Sequence, residues 1–219
     1  MRLARFAPLA ALCLALGGCF DVGQTLKVTS ESEAVFEVRA AVPASTIAAA
    51  QSVPGLADRP FCADKEAAEK LGLKVTVETM AEGPDQICLM KAQGSLAQIA
   101  KVAADKSYLP KDAPPTAGNA LVYDLEPAGG GLWRLTVVLS PPPEVQALAG
   151  ADEITKAAQS MIFGSTAGKG IGWAVEAKEI VESSGTVSPD KTRAEFEVPL
   201  SELLSKPEPE YRFVTTFRP

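Results

Sequence analysis

Catalysis needs side chains that donate, accept or attack, and this sequence of 219 residues contains no histidine. The usual general base near neutral pH and the commonest metal ligand are therefore missing. Ser140, Ser160 and Ser165 lack the G-x-S-x-G setting of an activated nucleophile, and no Ser-His-Asp arrangement can be completed. Asp and Glu total 27, yet glycoside chemistry requires two carboxylates across a defined cleft. Here they fall in turns or at the polar positions of alternating segments, as a solvated face requires. Asp21, Asp105, Asp112 and Asp190 stand singly, without the dense oxygen-ligand loop of a calcium site. Gly164-Ser165-Thr166-Ala167-Gly168-Lys169-Gly170 places three residues rather than four before its Gly-Lys pair, and has Gly170 where a phosphate loop carries Ser or Thr. It reads as a connector. Neither a cofactor nor a metal site is expected, and the chemistry that remains belongs to thiols.

Four cysteines are present, and the first two lie in an amino-terminal address. Arg2 and Arg5 precede an apolar run from Phe6 to Leu16, too short to span a bilayer but fitting a secretory leader. The run ends in Leu16-Gly17-Gly18-Cys19, which resembles a bacterial lipobox. Residues 1–18 then form a lipoprotein signal peptide, and Cys19 becomes the first mature residue, diacylated on sulfur with palmitate-class chains. Each buried methylene contributes about 0.8 kcal/mol, so two or three chains anchor firmly. The expected location is the bacterial cell envelope, lipid-anchored and extracytoplasmic. Phe20 stands where an inner-membrane lipoprotein of a Gram-negative cell commonly has Asp, which favours the outer membrane in such a cell.

Cys13 leaves with the leader, so Cys62 and Cys88 are the thiols of an oxidised domain, and they are expected to pair. Their spacing of 26 residues closes a loop that contributes roughly 3.5 kcal/mol in the chain-entropy treatment. They are not a C-x-x-C pair, which argues against redox catalysis.

The elements that must position these groups follow from hydrophobic alternation. Removing the leader leaves 19 basic and 27 acidic residues, a balance of −8, which argues against a phosphate-backbone binder and hence against nucleic acid. Val22–Thr29 and Ala34–Val42 alternate as a hairpin, and 45–51 reads as an alanine-rich helix. Asp64 caps a second helix that stops at Gly72. Leu73–Thr79 and Ile87–Lys91 form another hairpin, followed by a helix opened by the Ser95/Gln98 capping box and running to Ala104. Residues 105–119 hold three prolines and no periodicity, and are expected to be a flexible connection. Ala120–Glu126 and Leu132–Ser140 form a third hairpin. After Pro141-Pro142-Pro143 comes an apolar helical stripe from Val145 to Ile162. Gly170–Glu182, Arg193–Val198 and Tyr211–Phe217 read as strands, with a turn or short helix over Pro199–Ser205. The order predicts an α+β fold, mostly antiparallel sheet built from hairpins with helices packed on one side, over a single domain spanning 19–219.

This arrangement resembles the LppM-like family of bacterial lipoproteins. The residues that carry the likeness are Gly18-Cys19 and the first hairpin, Phe61-Cys62 ahead of Cys88, and the run from Ala177 to Asp190 followed by Glu197-Val198-Pro199-Leu200. Members commonly have an I-V-x-(S/T)-N-G-x turn; here it is Ile180-Val181-Glu182-Ser183-Ser184-Gly185-Thr186, with Ser184 in place of Asn. The resemblance implies an envelope-facing, lipid-anchored domain that contacts lipids or lipid-like ligands, and its motifs hold no catalytic residue.

The expected function is a non-enzymatic binding or scaffolding module for a lipid-like ligand or an envelope protein. The alternative is an envelope hydrolase or transferase that uses Ser or Asp without His. Trp133, Trp173, Tyr211, Phe213 and Phe217 fall on single faces of predicted strands and are the candidate apolar ligand contacts. Core packing is the competing role for each. The helical stripes are too short to cover a sheet of eight or nine strands, so either a groove or a second sheet layer must complete the fold.

Overall fold

The computed structural model describes residues 21–51, 62, 69–70, 72–104, 121–141, 168–205 and 208–219. Cys19 and the leader, the helix from Asp64 up to residue 68, the 105–119 connection, the Val145–Ile162 stripe and most of the Gly164–Gly170 connector lie outside the described residues.

Hairpin chemistry sets the first half. Strands β1 (Asp21–Ser30) and β2 (Glu33–Pro43) pair antiparallel across a two-residue turn, and helix α1 (Ala44–Gln51) follows. Gly72 has φ of 83°, the left-handed geometry expected of a helix-ending glycine. β3 (Lys74–Glu82) and β4 (Asp85–Gly94) close around Gly83-Pro84. Helix α2 (Leu96–Ala104) opens on the expected capping box: the Ser95 amide donates to Gln98 Oε1 at 2.9 Å, and the Gln98 amide donates to Ser95 Oγ at 3.3 Å. β5 (Leu121–Gly129) and β6 (Leu132–Leu139) turn through Gly130 and Gly131, both at positive φ.

The second half departs from the predicted strands in two places, a break within Gly170–Glu182 and a short added strand at Thr186–Val187. Gly170–Glu182 is not one strand: β7 (Gly170–Glu176) ends, the chain bends at Ala177-Lys178, and β8 (Glu179–Ser183) joins a different sheet. The bend is held by the Ala177 amide donating to Thr192 O at 2.9 Å and the Ile180 amide donating to Lys191 O at 2.6 Å. β9 (Thr186–Val187), β10 (Arg193–Pro199), helix α3 (Leu200–Ser205) and β11 (Tyr211–Arg218) complete the chain.

Two sheets result, a seven-stranded one ordered β3-β4-β2-β1-β7-β10-β9 and a four-stranded one ordered β5-β6-β11-β8. Among the described residues, all pairings are antiparallel except β1 with β7, which run parallel with Val22 opposite Ile171. The fold is α+β and dominated by antiparallel sheet, with three short helices to the side among the described residues. It is the second sheet that covers the apolar face of the first. Leu26 and Val28 from β1, Trp173 and Val175 from β7, and Ala194 and Val198 from β10 meet Leu135, Val137, Phe213 and Phe217 from the smaller sheet in one core. Leu96 and Ile99 of α2 extend that core beside β5, with Leu73, Val75 and Ala92.

Candidate functional site

The Cys62–Cys88 disulfide is present, with the two Cα atoms 5.5 Å apart. Cys88 lies on the buried face of β4 opposite Thr79 of β3, so the bridge ties the chain at residue 62 to the β3–β4 hairpin.

All five predicted contact aromatics are in the interior. Trp133 is 8% exposed, Trp173 4%, Tyr211 7%, Phe213 1% and Phe217 0%. The rings pack in rows between the sheets: Trp173 stacks on Phe196 at 6.1 Å, and Phe196 on Phe213 at 6.0 Å. Phe36 meets Tyr123 edge-on at 5.9 Å. The strand alternation that singled these residues out is satisfied by the facing sheet.

Within that apolar layer, besides the Ser183–Thr215 hydroxyl pair at 2.9 Å, sits a polar group of three. Gln24 points inward between Leu26 and the sheet end and is 6% exposed. The Tyr123 hydroxyl donates to Gln24 Oε1 and accepts the Trp173 indole N–H at 3.3 Å. Every buried side-chain polar atom among the described residues has a partner, as a low-dielectric interior demands. Sequence reading passed over Gln24, although its place in the Gln24-Leu26-Val28 alternation marks it as inward-facing.

On the opposite face of the larger sheet, a trough of about 640 Å³ runs over β1, β7 and β10. Its floor is bare because Gly23 is paired directly with Gly172, and Thr25 with Ala174. One wall is Ser184-Gly185-Thr186, where the chain crosses from the small sheet back to β10. Gly185 passes so close to β10 that a Cβ there would lie 2.3 Å from the Glu195 carbonyl oxygen. This is the turn in which Ser184 replaces Asn, and its hydroxyl does the turn's work, accepting the Val214 amide at 2.9 Å. Beside that wall, β10 carries Glu195, Glu197 and Arg193, whose guanidinium bonds Glu176 and, at 3.0 Å, Glu195. These charges are about half exposed, so water screens them. The trough offers hydrogen-bonding groups above a flat floor, the properties of a contact surface.

Among the described residues two titrating groups are moved, and both shifts are explained by local structure outside the trough. The Ser188 hydroxyl, at 2.6 Å, and then the Thr192 amide hold the Asp190 carboxyl below its ordinary range. Burial raises the Tyr211 phenol, whose oxygen accepts the Glu208 amide at 3.0 Å. Among the described residues, no three His, Cys, Asp or Glu side chains converge as metal ligands would, and no helix is long and apolar enough to cross a membrane.

No protein-family profile and no curated protein matches the chain. Among solved structures, the fold is similar to the NMR structure of the folded domain of LppM from Mycobacterium tuberculosis. The TM-score is 0.53 at 8% sequence identity, over 91% of this chain and 90% of that one. The likeness is one of fold, and it falls on the family that the lipobox, the paired cysteines and the Ser183-Ser184-Gly185 turn resemble.

Proposed function

We propose that this chain is a lipid-anchored protein of the bacterial envelope, residues 19–219 forming an extracytoplasmic module that binds or scaffolds and does not catalyse. The observation that carries this reading is Leu16-Gly17-Gly18-Cys19 behind a basic, apolar leader, two residues ahead of the first core strand. The fold likeness and the disulfide support it.

The interior favours a partner met at the surface. The five aromatics expected to touch a ligand are used in packing the two sheets, so a lipid between them would first have to part the layers. The trough is open and accessible, which suits an envelope protein or glycan. The second reading, a lipid-like ligand, draws on Trp173 and Phe196, which lie beneath the trough floor. The hydrolase or transferase alternative has little to work with. Ser183 and Ser184 are engaged with Thr215 and Val214, and the Asp190 carboxylate is bound by its own turn.

Intact mass spectrometry of the membrane fraction tests the anchor. Wild-type protein should carry acyl mass on Cys19, and Cys19→Ala should be folded and unlipidated; wild type without acyl mass refutes the reading. Titrating envelope lipids against tryptophan emission separates the partner classes. A saturable spectral change would favour the lipid-like ligand.

A further inference from the structure

We infer that helix α1 and the strand ends around it form a docking face for the bilayer that holds the Cys19 lipid, so that the domain stands on the membrane with the Ser30–Glu33 turn pointing away. This rests on the proposed anchor. One residue, Phe20, separates Cys19 from Asp21 at the start of β1, and the two Cα-to-Cα steps between them reach at most about 7 Å. A tether that short has no slack, and whatever surrounds the amino-terminal end of β1 must meet the headgroups.

Strand register identifies those surroundings. Asp21 is opposite Ala41, so the carboxyl end of β2 and the start of α1 lie beside it. Pro43 is opposite Asp85, and the Ala44 amide donates to Pro84 O at 3.0 Å, which brings in the β3–β4 turn. The Gly170 amide donates to Asp21 Oδ1 at 3.4 Å, adding the start of β7.

The chemistry of this end suits a membrane interface. α1 has the sequence ASTIAAAQ, without a charge. Ala44, Ser45 and Ala48 are exposed, and Ile47 is half-buried. Residues 40–57 form the longest uncharged run in the sequence, 18 residues against 15 for the leader's run from Phe6 to Phe20. Exposed helices ordinarily carry charge on their solvent face. The charges that do occur here are paired, Arg39 with Asp21 at 3.6 Å and with Glu82 at 2.8 Å, and Lys169 with Asp85 at 3.4 Å, and together they leave one net negative charge. The opposite end, about 30 Å along the ten residues of β1, presents Glu31, Ser32, Glu33 and Lys178, all exposed. One exposed helix of eight residues buries too little apolar area to hold a membrane alone. The acyl chains supply the local concentration, and the contact is apolar, so salt should not weaken it.

The test uses the full-length acylated protein in phosphatidylethanolamine–phosphatidylglycerol vesicles with bromine on the upper acyl chains. A reporter tryptophan is placed at Ala48→Trp or at Ser32→Trp. Trp133 and Trp173 give both variants the same buried background. Ala48→Trp should lose roughly twofold more emission to bromine than Ser32→Trp, as expected of a side chain entering the headgroup–acyl boundary. The loss should persist in high salt. Ser45→Trp, also exposed, repeats the measurement if Ala48→Trp fails to fold. Acylated protein in which the two ends are quenched equally overturns the docking face alone. Absence of acyl mass on Cys19 overturns the anchor, and with it the tether this inference needs.

Discussion

Tyr123→Phe removes one oxygen from the middle of the protein and should be costly out of proportion to its size. That oxygen accepts the Trp173 indole N–H at 3.3 Å and donates to Gln24 Oε1. Gln24 is 6% exposed and Trp173 4%, so neither can turn to water while the sheets stay closed. Leaving a buried polar group unsatisfied costs about 1–3 kcal/mol. The indole contact is long and belongs at the low end of that range; the amide belongs near the middle. Together they predict a loss of about 2–3 kcal/mol, or roughly 5–10 °C in Tm for a chain of this length. Urea unfolding followed by tryptophan emission measures the loss, and the Trp173 environment reports it directly. Adding Gln24→Leu removes the stranded amide, so the double variant should be more stable than the sum of the two single effects by about 1–2 kcal/mol. A loss below about 0.5 kcal/mol, with unchanged emission, would mean that water reaches the group and that the sheets are not closed over it.

Gly185→Ala should destabilise by about 1–3 kcal/mol, because the new methyl meets the Glu195 carbonyl oxygen at 2.3 Å and Phe213 Cε2 at 3.0 Å. Gly23→Ala, with nothing within 4 Å among the described residues, should be neutral or slightly stabilising; thermal melts of the pair check both. Reducing the Cys62–Cys88 bridge, which closes a 26-residue separation, should lower stability by roughly 3.5 kcal/mol. Denaturation with and without reductant measures this, and free thiols that alkylate without reductant would contradict it.

Local order was readable because its causes are local. The hairpins follow from alternation, and the Ser95/Gln98 box marks the start of α2 in sequence as in structure. Partner choice between distant strands has no such signature, and so the β1–β7 pairing was not foreseen. The break between β7 and β8 did leave a trace. Inward residues run Trp173, Val175, Ala177 at odd positions and then slip to Ile180, a change of phase that a single strand cannot absorb. The aromatics were correctly placed on common faces; what covers those faces depends on the second sheet, which no single segment encodes. For the same reason the trough was invisible, since its floor exists only where Gly23 and Gly172 come side by side.

That parallel pairing also governs when the protein can fold. Val22 and Ile171 are 149 positions apart, yet they sit in adjacent central strands. The first strand to emerge from the ribosome must wait for one of the last before the wide sheet can close. Contacts of such long sequence separation slow folding. The early hairpins can form as they appear, but the finished sheet cannot precede residue 199. A chain built this way acquires its final shape only once nearly all of it has been made.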